Sequence, residues 1–120
     1  MTLPVTLNDF GDPITIRHAS PEELQGALGQ YVTETGEILI RTGQTPAEET
    51  NIIIHEVIHL WEQQALGMGI IKKDLPEEFI GGLACGLLML LTRAGVIPEM
   101  EGFEDFMQGY SRCHEEGDGQ

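Results

Sequence analysis

A short segment in the middle of the chain, His55-Glu56-Val57-Ile58-His59, constrains the fold and the chemistry more than any other feature. Side chains four positions apart leave the same face of an α-helix, because each turn has 3.6 residues. His55 and His59 can therefore each offer one ring nitrogen to the same metal ion, at roughly 2.0–2.1 Å. Glu56 is rotated by about 100° from His55, so its carboxylate is expected to reach a water on the metal rather than the metal itself.

This arrangement predicts a chemical role for each of the three side chains. We interpret His55 and His59 as ligands of Zn²⁺, which lowers the pKa of a bound water towards about 7. We interpret Glu56 as the catalytic base and acid, which takes a proton from the metal-activated water and passes it to the leaving amine. The predicted reaction is hydrolysis, with a peptide or protein as the substrate.

The residues around the motif favour a long helix. Thr45, Pro46 and Glu48 have the order of a helix N-terminus: a capping hydroxyl, a proline in the first turn and an acid that completes a capping box. The helix is predicted to run to about Leu66 and to end at Gly67. The motif would then lie in the middle of this helix.

A catalytic zinc site needs a third protein ligand. No histidine follows His59 at the short spacing found in one class of these motifs, because Ala65 occupies that position. A second helix is predicted over residues 74–94, and the preceding loop is long enough for the two helices to pack antiparallel. Gly81 and Gly82 would allow a close approach between them.

The acids at the start of this second helix are the candidates for the third ligand. We favour Glu78 and keep Glu77 as the alternative, since both lie in the first turn. Asp74 and His114 are less favoured. Both glutamates also have an interpretation without metal, because Glu77 can complete a capping box with Asp74 and negative charge is favoured at a helix N-terminus.

The remaining sequence predicts a single α+β domain over residues 1–120. A small antiparallel sheet is expected to pack on about four helices, with the motif on the central one. Strand 37–41 either borders the cleft as an edge strand for an extended substrate or only covers the core. Turn, cap and alternation signals predict these further elements: an irregular lead-in at 1–12, a strand at 14–17, a helix from Ser20 to near Gly29, a hairpin at 31–42, a last helix at 98–113 and a flexible polar tail at 114–120.

The charge of the chain limits its partners. Six Lys and Arg residues stand against twenty Asp and Glu residues, which gives a formal net charge of -14 at pH 7. Phosphate recognition needs clustered Lys and Arg side chains, so neither nucleic acid nor an anionic membrane surface is an expected partner.

The apolar run at 79–91 is shorter than the roughly 20 residues that span a bilayer. Residues 1–10 lack a signal-peptide pattern and the two cysteines form no C-x-x-C motif, so a cytoplasmic location is expected.

The motif with Leu60, the segment Leu-Pro-Glu-Glu-Phe-Ile at 75–80 and the segment Leu-Ala-Cys-Gly-Leu-Leu at 83–88 together carry a family resemblance. They resemble small zincin-like metallopeptidases of phages and prophages, which are distantly similar to the ImmA/IrrE group of gluzincins. The resemblance covers residues 14–94. It implies a minimal zincin-like domain in a bacterial or phage-infected cell, with the two motif histidines as zinc ligands, Glu56 as the catalytic residue and an acid of the second helix as third ligand. The acids of this chain lie further upstream in that helix than those of the larger relatives.

Two other functions are compatible with the sequence. One is a catalytically inactive zincin-like module that binds zinc and a protein partner, since a small chain has little room for a specificity pocket. The other is a metal-free interaction protein, in which His55 and His59 are core residues with buried hydrogen-bonding partners. The sequence leaves the oligomeric state open.

Overall fold

The computed structural model describes residues 6–9, 12–32 and 34–109. Within these ranges, residues 103–109 form a short helical segment after the last long helix. The named strands and helices, in chain order, are β1 Thr6–Asp9, β2 Asp12–Ala19, α1 Pro21–Leu24, β3 Gly29–Val32, β4 Glu37–Arg41, α2 Pro46–Gly67 and α3 Glu77–Arg93.

The four strands form one sheet in the order β1-β2-β4-β3. The predicted α+β class is confirmed, but the expectation of a wholly antiparallel sheet is wrong. β2 and β4 run parallel, whereas the other two pairs are antiparallel. The difference arises because the hairpin of β3 and β4 joins the sheet through its second strand. β4 therefore lies inside the sheet, and β3 forms its edge.

The lead-in predicted over residues 1–12 contains a strand, so that prediction is wrong for residues 6–9. Thr6 pairs with Thr15 and Asp9 with Asp12, which makes β1 the first arm of a hairpin with β2. Asn8 and Asp9 are residues typical of turns and irregular structure, but here both belong to β1. β2 is correspondingly longer than the predicted strand at 14–17.

The first helix is shorter than predicted. The Ser20 hydroxyl accepts a hydrogen bond from the Glu23 backbone N–H, as the capping pattern predicts. The helix ends at Leu24 because Gln25 and Gly26 have left-handed φ angles of 53° and 85°. The last predicted helix is likewise found only at 103–109 of the described residues, and the predicted tail at 114–120 lies outside them.

α2 packs between the sheet and α3, which is what positions the motif. Its capping box is present: the Thr45 hydroxyl accepts from the Glu48 N–H, and the Glu48 carboxylate accepts from the Thr45 N–H. On the sheet side, the buried core comprises Ile14, Ile16, Ile38, Ile40, Ile52 and Leu60. On the α3 side, the buried cluster comprises Ile58, Ile80 and Ala84.

α3 follows α2 through a loop that returns the chain towards the motif. Burial of an isoleucine such as Ile80 contributes about 1.5–3 kcal/mol, so the contact between the two helices is a main source of their fixed geometry. Neither α2 nor any other helix within the described residues combines the length and the hydropathy needed to cross a bilayer.

Candidate metal centre

The two motif histidines lie side by side on α2, as their spacing predicts. Their ring centroids are 4.9 Å apart and the ring planes are inclined by 51°. Both side chains are partly buried, with 23% of His55 and 29% of His59 exposed. Both imidazoles therefore remain accessible from the same side of the helix.

Glu77, the first residue of α3, brings a carboxylate to both rings. Its Oε1 lies 2.6 Å from Nε2 of His55, and its Oε2 lies 3.1 Å from Nε2 of His59. The two oxygens of one carboxylate thus face the two nitrogens that point away from α2. The antiparallel return of α3 accounts for this contact between residues distant in sequence.

The sequence-based preference for Glu78 over Glu77 is not supported by these positions. Consecutive helical residues are rotated by about 100°, and Glu78 faces a different cavity, beside Gly82. The two glycines one turn further along α3 differ in the same way as the two acids. A Cβ at Gly81, four positions after Glu77, would lie 3.9 Å from Cε1 of His55, whereas a Cβ at Gly82 would meet nothing within 4 Å. Gly81 therefore marks the face of α3 that approaches the histidines.

His55, His59 and Glu77 form the single cluster of this kind among the described residues. Each offers one ligand atom, and these atoms lie within 4.8 Å of one another. Asp74 is not a member of this cluster, and the other sequence candidate, His114, lies outside the described residues.

The donor set fits a metal ion. Two imidazole nitrogens and a carboxylate are one of the ligand combinations of catalytic zinc sites. Tetrahedral zinc–ligand bonds of roughly 2.0–2.1 Å place the ligand atoms about 3.3 Å apart. The separations of 2.6 and 3.1 Å between Glu77 and the two rings are somewhat shorter than this value, and all the ligand atoms lie within 4.8 Å of one another. This group could hold a metal ion.

Glu62 supports the site, and the sequence analysis did not identify it. Its Oε1 lies 3.3 Å from Nδ1 of His59, and its Oε2 accepts a hydrogen bond of 2.5 Å from the backbone N–H of Leu75. The residue is only 5% exposed. A carboxylate behind a ligating histidine fixes the ring orientation, and this one also ties the loop before α3 to α2. Its spacing of three positions after His59 was the available signal.

Glu56 lies in a cavity of about 540 Å³ that also contains His55, His59 and Glu77. Burial raises the pKa of the Glu56 carboxyl above its ordinary value. The two histidines and a hydrogen bond with the Tyr31 backbone oppose this shift, while the charge of Glu77 adds to it. Glu56 is therefore a largely buried acid with a raised pKa in the cavity that the two histidines line.

The strand beside this cavity is β3 and not the predicted strand at 37–41. β4 is enclosed between β2 and β3, so it is not an edge strand that could pair with a substrate. Gly29 and Tyr31 of β3 line the cavity. Gly29 allows β3 to lie close to α2, because a Cβ there would overlap the side chain of Ile52.

No protein-family model, curated protein or solved structure matches this chain. The resemblance to zincin-like metallopeptidases therefore stays a prediction from the motif segments.

Proposed function

We propose that this protein is a zinc-dependent hydrolase that cleaves peptide bonds. The observation that supports it most strongly is that three donor groups lie together beside a second acid, Glu56, that is not one of them. The Glu77 carboxylate lies against Nε2 of both His55 and His59, and Glu56 shares their cavity without belonging to the cluster. A catalytic zinc site has the same division, with three protein ligands and a separate acid–base group.

In this proposal His55, His59 and Glu77 hold the ion. Imidazole and carboxylate ligands suit zinc among the available divalent ions. When bound, zinc acts as a Lewis acid and lowers the pKa of water towards about 7. Glu62 accepts a hydrogen bond from Nδ1 of His59. This contact fixes the orientation of the imidazole ring, so that Nε2 of His59 stays directed at the ion.

Glu56 is the residue that accepts and returns the proton. Its raised pKa brings its proton affinity closer to that of the groups that exchange protons near neutral pH, which is the condition for efficient transfer. The backbone of Tyr31 holds the carboxylate in place. The Ile52 side chain, which lies against Gly29, adds apolar surface to the β3 side of the cavity.

The shape of the site favours a peptide over a compact substrate. The cavity is bordered by the edge strand β3, and an extended chain can lie beside an edge strand. The chain carries a formal net charge of -14, which repels polyanions. Peptides and unfolded segments of neutral or basic character are therefore the proposed substrates.

The direct test is the metal dependence of peptide cleavage. We expect the zinc-loaded protein to cleave members of a mixed peptide library, detected by mass spectrometry, and we expect a chelator to abolish cleavage. Restoring one equivalent of zinc should restore it. Stoichiometric zinc binding without cleavage would favour the inactive zinc-binding module instead, and the absence of zinc binding would favour the metal-free interaction protein.

A further inference from the structure

A second cavity, of about 650 Å³, adjoins the candidate metal centre on the other side of His55. Its walls come from α2, α3 and the helical segment at 103–109. His55 and Asn51 line both cavities. A chain lying across His55 would therefore have side chains within reach of this second space.

The chemistry of the second cavity is amphipathic and acidic. Gly82, Cys85 and Phe106 provide small or apolar surface, while Glu78 and Asp105 add carboxyl groups. Glu48 also lines the cavity, with one oxygen already accepting the Thr45 N–H. No lysine or arginine among the described residues lines this space.

Asn51 supplies an independent indication that a hydrogen-bond donor belongs here. Its Oδ1 is buried and has no hydrogen-bond partner among the described residues. A buried acceptor without a hydrogen bond reduces the free energy of unfolding, and a ligand that supplies the missing donor is one explanation for such a group. Asn51 is one helical turn before His55, and the residue lines both cavities.

We infer that the second cavity is a substrate subsite for a lysine or arginine side chain, an inference that depends on the proposed peptidase function. The apolar walls suit the methylene stem of such a side chain. Glu78 and Asp105 suit its cationic end, because charge-assisted hydrogen bonds to carboxylates are stronger than neutral ones. The Asn51 amide, in the wall that the two cavities share, offers the bound chain a hydrogen-bonding group. Glu78, which the sequence favoured as a metal ligand, is thereby a specificity residue.

Binding to the zinc-loaded Glu56→Gln variant tests this inference without turnover. Peptides of one sequence carry lysine or norleucine at each position in turn, and calorimetry measures their affinity. Norleucine keeps the methylene stem and removes the charge. At one position we expect lysine to bind about tenfold more tightly than norleucine, since a hydrogen bond to a charged group is worth about one factor of ten. This preference should weaken as salt is added.

Variants of the cavity make the test specific. In a Glu78→Gln/Asp105→Asn double variant the lysine-to-norleucine ratio should fall to about one. Glu104→Gln, which removes an exposed charge that does not line the cavity, should leave the ratio unchanged. Each single variant is measured as well, and thermal unfolding verifies that all of them are folded.

The outcomes separate the two proposals. Equal affinity for lysine and norleucine at every position, no binding of any lysine peptide, or a preference that survives the double variant would overturn the subsite. A lysine preference in a wild-type protein that never cleaves the bound peptides would instead overturn the peptidase function. Cleavage by the wild type with no lysine preference would leave the peptidase and remove the subsite.

Discussion

A Glu56→Gln variant is expected to lose about two to four orders of magnitude in peptide turnover while it still binds one zinc ion, since acid–base catalysis contributes about that much. Glutamine keeps the shape of the side chain but cannot accept the proton. The ligand set of His55, His59 and Glu77 is untouched. Turnover is measured by peptide cleavage and zinc by elemental analysis of the same sample. Glu22→Gln, in the exposed first turn of α1, is the charge-matched control.

The same variant should unfold at a higher temperature than the wild type when both are metal-free at neutral pH. Burial raises the pKa of Glu56 above its ordinary value of 4.5, so ionisation of this group opposes folding. This cost is absent below the ordinary pKa and develops as the pH rises through the raised folded-state pKa. The difference in Tm should therefore vanish near pH 4, where both states hold the proton. Unchanged turnover in Glu56→Gln would reject its catalytic role.

The second large effect is expected on metal affinity, from two neighbouring glutamates that differ only in direction. Glu77→Gln should weaken zinc binding by at least about a hundredfold, because loss of even an outer partner of a ligand costs about 10- to 100-fold. Glu78→Gln removes the same charge from the same first turn of α3. It should change zinc affinity by no more than about threefold, as expected for a screened charge at the surface. Competition with a fluorescent chelator measures both affinities.

This pair decides between the sequence-based preference and the geometry. Zinc binding that is weakened by Glu78→Gln and kept by Glu77→Gln would restore Glu78 as the ligand. It would also remove the subsite inferred for the second cavity, because Glu78 would no longer be free to meet a substrate.

The local pattern of the sequence was sufficient for the elements that carry the site. The capping box at Thr45 fixes the start of α2, and the helical period then places His55 and His59 on one face. These are short-range properties, which depend on residues within one or two turns. For that reason the α2 boundaries, the α+β class and the shared direction of the two imidazoles are all confirmed.

The features that were missed depend on how distant segments meet. Glu77 and Glu78 are equivalent in the first turn of α3, and only the approach of Gly81 to His55 distinguishes them. The parallel pairing of β2 with β4 likewise depends on which arm of a later hairpin joins the sheet. The hydrogen bond from the Leu75 N–H to Glu62 also depends on how the loop before α3 folds back against α2. No periodicity reports such long-range contacts.

The most direct measurement is a calorimetric zinc titration of the metal-free protein beside its His55→Ala/His59→Ala variant. The wild type is predicted to bind one zinc ion per chain, and the double variant is predicted to bind none at that site. A wild-type protein that takes up no zinc, or a double variant that binds it equally well, would contradict the metal centre and with it the hydrolase.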